Sequence, residues 1–399
     1  MNMKTDEEIL TLLSTMRNHS QSTKNAYRST IKIYTTFQKQ TLDELLKEAK
    51  KEQKEKIEWT DRKLRTRLIN FRQYLYDNYL YSAASSHLRR ILTMYTTFEL
   101  ELHKLPYISN KQVQQSVPLT YHDLPDREII QKALEISSPL MKAIILFMTS
   151  SGTARAEMLS ITITDFIESL KGYTNETDIH KIISDLKDRN YIIPTFKLQR
   201  KKVNEYYYTF CSPEATTAIF NYLLTRKKLK NNARLFKTNI RYLNDRFAEI
   251  NNTLKLGKKG TYNRFRSHML RKYHSTTLKD CDNKLSVQDI EFLQGRSDSK
   301  TRRSYFMTNE EKLRLRYAES MNDITINQKY TVIADYETLS LHIEEYDAEE
   351  EIKPLKQQTI DLKKENQKLV QENTEMKENI KVEARKVFED ILKENGIKL

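Results

Sequence analysis

Three apolar stripes with helical spacing run through the first hundred residues, and they constrain the fold more than any other feature. Tyr27, Ile31 and Tyr34 form the first stripe. Leu64, Leu68, Phe71 and Leu75 form the second, and Leu88, Ile91, Leu92, Tyr95 and Phe98 the third. Apolar residues that recur three and four positions apart mark amphipathic helices burying one face. The opposite faces carry Lys24, Arg28, Lys63, Arg65, Arg67, Arg89 and Arg90. Residues 1–105 therefore read as a small helical domain whose basic outer faces suit a polyanion.

Residues 106–118 (PYISNKQVQQSVP) are polar, lack periodicity and are bracketed by prolines, so they read as a linker. A mixed α/β domain over 119–323 follows. Helical patterns near 126–150 and 213–230 flank two β-rich runs, Tyr191–Lys202 and Tyr206–Phe210, around a short polar turn, which predicts a hairpin. Further helices are expected at 267–280, 286–294 and 309–320. An acidic connector is expected over 324–351. In the last segment, 352–399, Leu355, Leu362, Leu369 and Met376 recur every seven residues, with Thr359, Asn366, Asn373 and Ile380 interleaved. That is a heptad pattern with Asn at two successive core positions, the signature of a register-fixed, two-stranded coiled coil. The expected fold is mainly α with a small β-sheet and a C-terminal coiled coil.

Charge narrows the function. Residues 1–320 hold 56 Lys/Arg against 36 Asp/Glu, while those from 321 onward hold 12 against 18. A polycationic body suits a phosphate polymer, because each neutralised phosphate releases counterions. Six glycines (152, 172, 257, 260, 295 and 396) cannot assemble GxGxxG or GxxxxGK[ST], so chemistry driven by ATP or NAD is not expected. The eight histidines form no HExxH, and no Cys/His cluster has zinc spacing. No cofactor and no metal are expected. Cys211 and Cys281 are too few for a disulfide framework. No apolar run approaches a membrane span, and the N-terminus does not read as a signal peptide. A cytoplasmic, nucleoid-associated protein is the expectation.

Four stretches supply side chains suited to phosphodiester cleavage. Ser151-Gly152-Thr153-Ala154-Arg155-Ala156-Glu157 follows an apolar helix and opens another, and an arginine there can fork onto two phosphate oxygens. Lys202 sits at the tip of the expected hairpin, with Lys197, Arg200 and Lys201 as neighbours. Strand parity puts Lys197 and Lys201 on one face and Lys202 on the other. His268-Met269-Leu270-Arg271, within Arg264–Tyr273, places His268 and Arg271 on one helical face. Finally, Leu293-Gln294-Gly295-Arg296 precedes Tyr305, one of 23 tyrosines.

In order and spacing these stretches resemble the tyrosine recombinase, or phage integrase, family, and the ending looks most like archaeal-type integrases. The resemblance spans about residues 10–320. It implies a helical DNA-clamping N-terminal domain and a mixed α/β catalytic domain. Its catalytic set maps onto Arg155, Lys202, His268, Arg271, Arg296 and Tyr305. Tyr305 falls nine positions after Arg296, and an ungapped count back from Ser212-Pro213-Glu214-Ala215 puts the family lysine on Lys202. Lys24, Arg28, Arg65, Arg67, Arg89, Arg90, Arg200, Lys201, Arg264 and Arg266 are the expected DNA-contacting residues.

Two positions depart from the family pattern. Arg296 replaces the usual His or Trp, and it can donate to a phosphate but cannot act as a base. An ungapped match places Ala154, not Arg155, in the first arginine slot. One residue rotates a helical side chain by about 100°. Either the turn absorbs that residue and Arg155 serves, which is the preferred reading, or Ala154 marks lost activity. The implied activity is site-specific recombination that integrates or excises a mobile element through a 3′-phosphotyrosyl intermediate. The implied assembly is a tetramer on double-stranded DNA, with the coiled coil pairing copies. The alternatives are a catalytically impaired DNA-binding protein of recombinase descent and a strand relaxer of the type IB topoisomerase kind.

Overall fold

A computed structural model describes residues 4–387 apart from 110, 112, 190, 201–203, 283, 297–308, 346–361, 363, 375 and 378. The chain divides into two compact units, Met1–Leu119 and Thr120–Leu399. Among the described residues it is mainly helical, with three two-stranded antiparallel sheets.

The first unit is a bundle of α1 (Asp6–Met16), α2 (Gln21–Gln38), α3 (Leu42–Lys54), α4 (Lys63–Asn78) and α5 (Tyr81–Thr97). Reciprocal capping starts two of these helices: Thr5 with Glu8 begins α1, and Thr41 with Glu44 begins α3. Each cap satisfies orphan backbone N–H groups. The expected stripes face inward: Tyr34, Leu68, Phe71, Leu75, Ile91 and Tyr95 are fully buried. Burying each such side chain contributes roughly 1.5–3 kcal/mol. The two deepest phenols share a hydrogen bond, Tyr34 Oη to Tyr95 Oη at 2.9 Å. The first part of the expected linker lies on this unit. Arg72 donates to Pro106 O at 2.7 Å, Tyr81 N–H to Gln114 O at 2.9 Å, and Val113 is buried.

The second unit is built around α7 (Pro139–Ser151), which is buried along its length from Ala143 onward. A helix apolar on every side belongs in the centre of a core. It packs against α11 (Pro213–Leu224) and α13 (Ser267–Asp280). The helical pattern near 126–150 resolves into α6 (Arg127–Glu135) and α7, because Ser138 caps α7 and Pro139 takes its first turn. Further helices are α8 (Arg155–Met158), α9 (Ile163–Ser169), α10 (Ile179–Leu186), α12 (Ile240–Thr253), α14 (Val287–Leu293) and α15 (Glu310–Ser320). The expected hairpin is present as β1 (Thr195–Arg200) and β2 (Glu205–Phe210), in a register that pairs Arg200 with Glu205. A two-residue pair, β3 (Lys258–Lys259) and β4 (Tyr262–Asn263), precedes α13.

The acidic connector expected over 324–351 is largely structured. Tyr330–Asp335 (β5) and Ser340–Glu345 (β6) form a hairpin, and Tyr330 and Ile343 are buried with the core residues of α15. Its turn is closed by the Asp335 carboxylate, which accepts from the N–H groups of Glu337 and Thr338. Net acidity hid the alternation of Tyr330, Val332 and Ala334 that builds a half-buried strand. The described residues of 362–387 are helical, and Leu362, Leu369, Met376 and Ile380 are exposed on them. Asn366 and Asn373 are exposed as well, whereas Leu355 and Thr359 lie outside the described residues. No described helix is long and apolar enough to cross a membrane.

Candidate active site

The site grows from two glycine turns. Gly152 ends α7 with φ +62°, and a Cβ there would stand 2.4 Å from the His274 ring. Gly295 follows α14 with φ +60°, and a Cβ there would stand 2.6 Å from the Tyr207 ring. Only a residue without a side chain fits either position unstrained. Arg271 joins the two turns. Its Nη1 donates to Gly152 O at 2.8 Å and its Nη2 to Gln294 O at 2.7 Å. Gln294 Nε2 returns a bond to Arg271 O at 3.0 Å. Arg271 is 8% exposed, and the two bonds fix its guanidinium and pre-aim its remaining N–H donors.

A second arginine reaches the same turn from the sheet. Phe196 and Leu198 of β1 face the core, and alternation continues that face to Arg200. Arg200 Nη1 donates to Gly295 O. Arg296 comes next along the chain, its backbone N–H held by Glu291 O at 2.9 Å. Three arginines thus meet around residues 294–296.

His268 lies one helical turn before Arg271 and is exposed. Partial desolvation lowers its pKa, and the positive charges of Lys272, Arg266, Arg271 and Arg296 lower it further. A histidine so placed is a neutral imidazole at neutral pH, able to accept a proton. Burial lowers Arg271 to about 10, with Arg296 and Arg200 acting in the same sense and Tyr207 and Glu157 opposing them. Arg271 therefore stays charged at neutral pH. Tyr207 is buried against Gly295, and burial followed by the Glu157 charge pushes its phenol well up, which disqualifies it as a nucleophile. His274 is fully buried, with Nδ1 3.1 Å from Thr149 O, and burial lowers it to about 3. It is a neutral wedge behind Gly152 rather than a proton carrier. Among the described residues no cluster of three or more His, Cys, Asp or Glu is placed to hold a metal ion.

Of the expected catalytic set, Arg271, His268 and Arg296 come together. Lys202 and Tyr305 lie outside the described residues, as does Lys201. Arg155 goes elsewhere: its Nη1 donates to Asn244 Oδ1 of α12 at 2.7 Å, while Ala154 occupies the N-cap of α8. Several expected DNA contacts are engaged within the protein. Arg28 is paired with Glu7, Arg67 with Glu48 and Gln38, and Lys24 with Thr11 and Glu7. Arg90 donates to Thr30 at 3.3 Å. Arg65 and Arg89 have no side-chain ion pair among the described residues. Arg264 donates to His122 O at 2.6 Å, and Arg266 stacks 4.9 Å from the centre of the Tyr262 ring.

Sequence reasoning missed Tyr207, Gln294, Glu157 and His274 as parts of the site. Glu157 and Gln294 lie inside the quoted motif stretches, and His274 stands three residues after Arg271 on the same helix, whereas Tyr207 gave no signal. Arg200 was read as one of the general DNA contacts, and the parity of β1 turns it toward Gly295 O.

No protein-family model matches the sequence, and no curated protein matches it. Among solved structures the chain is similar to the XerA recombinase, at 15% identity and a TM-score of 0.33, covering 77% of this chain and 96% of that one. It is similar to the Tn1549 transposon integrase solved in complex with transposon right end DNA, at 14% identity and a TM-score of 0.44, covering 76% and 94%. It is also similar to the integrase from mycobacterium phage Brujita, at 12% identity and a TM-score of 0.33, covering 85% and 98%. The functional reading rests on the chain's own side chains.

Proposed function

We propose that this protein cuts and rejoins double-stranded DNA as a site-specific recombinase, with Tyr305 as nucleophile. The observation that carries the reading is Arg271, locked between Gly152 O and Gln294 O, with neutral His268 one turn away and Arg296 beside it. That group can bind one phosphate and take up one proton.

In the proposed reaction the Tyr305 oxygen attacks the scissile phosphorus and its proton passes to His268. The bond to the 5′ oxygen breaks, and Lys202 supplies the proton that leaves with it. A 3′-phosphotyrosyl bond and a 5′-hydroxyl result. The phosphodiester's energy is kept in the new bond, so rejoining is the same sequence reversed. Arg271 and Arg296 stabilise the charge that builds on the phosphorane oxygens, usually the largest single contribution.

The motif order favours an archaeal-type integrase serving a mobile element in the cytoplasm, acting as a tetramer on its DNA sites. Arg65, Arg89, Arg264 and Arg266, together with Lys201, are the proposed backbone contacts. The exposed apolar positions Leu362, Leu369, Met376 and Ile380 favour pairing of the C-terminal helix with that of a second copy. A second reading, a DNA-binding protein that has lost catalysis, is favoured by one observation: Ala154 fills the arginine slot while Arg155 is turned to Asn244.

Incubation with nicked duplexes drawn from the DNA flanking the gene separates the two readings. A covalent protein–DNA adduct is expected, and Tyr305→Phe should abolish it. DNA binding without any adduct would leave the second reading.

A further inference from the structure

We infer that Arg200, rather than Arg155, is the third arginine on the scissile phosphate; this rests on the phosphotransfer reading above. The geometry is specific. Gln294 O and Gly295 O are consecutive carbonyls of one turn. Arg271 is bonded to the first and Arg200 to the second. Arg296 follows directly, and its charge acts on both Arg271 and His268.

Like charges gathered this closely repel one another, and a partly desolvated setting strengthens the repulsion. The two carbonyls and the nearby Glu157 carboxylate offset part of it. An anion bound among the three arginines would offset the rest. Arg200 uses one of its five donors on Gly295 O and has no other side-chain hydrogen bond among the described residues. Its fork is anchored at one edge and open at the other, the state in which a guanidinium holds a phosphate oxygen.

Arg155 lacks both features. Its guanidinium is bonded to Asn244 on α12, and the charges that act most on Arg271 are those of Tyr207, Arg296, Glu157 and Arg200. The vacancy left by Ala154 is therefore filled from the hairpin.

The test compares Arg200→Gln and Arg155→Ala for the rate of covalent adduct formation on two nicked duplexes. One carries an ordinary scissile phosphate, and the other a methylphosphonate, which has no charge to neutralise. Glutamine removes the charge and keeps a polar amide on a shorter side chain. Arg200→Gln should slow the phosphate substrate by about 100-fold or more, the usual cost of losing one charge-stabilising donor. On the methylphosphonate it should lose far less, and Arg155→Ala should be mildly affected on both. A greater loss for Arg155→Ala than for Arg200→Gln would overturn the assignment. So would an equal loss for Arg200→Gln on both substrates, which would make Arg200 a brace for the turn. No adduct from the unaltered protein would remove the phosphotransfer reading, and this assignment with it.

Discussion

At the scale of residues, the site depends on two glycines that hold positive φ under a packed ring. Gly295→Ala would impose a left-handed backbone on an alanine and drive its Cβ into Tyr207, which is 3% exposed and has no room to retreat. Strain and overpacking together should cost about 2–4 kcal/mol in denaturant unfolding, and a loss under about 1 kcal/mol would show that the ring moves freely. His268 makes a second prediction. Partial burial and then its cationic neighbours disfavour the imidazolium, so the neutral base persists as pH falls below the ordinary value of 6.5. The rate of adduct formation should therefore drop on acidification with a midpoint below that value. Lys272→Gln removes one of the cations that lower it and should move the midpoint upward. A midpoint above the ordinary histidine value would rule out His268 as the base in this environment.

At the scale of elements, periodicity was the most legible signal. The stripes at Tyr27–Tyr34, Leu64–Leu75 and Leu88–Phe98 lie on α2, α4 and α5, with their apolar faces inside. α13 occupies the expected 267–280, and β1–β2 forms where two β-rich runs met a polar turn. Weak local patterning concealed other elements. α9 and α10 are only seven and eight residues long, too short for two turns of repeat to stand out. β5–β6 lay under an acidic composition that reads as solvated chain. The pairing within the basic faces was hidden for a different reason: Arg28 and Arg67 find carboxylates on neighbouring helices, which no single-helix projection displays. The C-terminal helix bears the element-scale prediction. Deleting 350–399 removes the exposed heptad positions and leaves β5–β6 intact, so the sedimentation mass should fall to that of a smaller assembly. An unchanged mass would refute pairing through this helix.

At the scale of the whole molecule, the motif order along the chain foretold which distant segments meet. Gly152, Arg271 and Gln294 are separated by more than a hundred residues of sequence at their extremes, yet two hydrogen bonds of one guanidinium join them. The sequence order named Arg271 but not Arg200 as a partner of the second turn, because Arg200 reaches it only through strand parity in β1, while Arg155 meets Asn244 of α12. The central claim is that this cationic knot serves a tyrosine eleven or fewer residues beyond it in the undescribed stretch 297–308, and its most direct test is to map the covalent bond. The trapped adduct would be digested with protease and nuclease and the nucleotide-bearing peptide sequenced by mass spectrometry. The account predicts a 3′-phosphate esterified to Tyr305, with a free 5′-hydroxyl on the released strand. A nucleotide on another tyrosine, a 5′-phosphate linkage, or no adduct with any flanking DNA would contradict it.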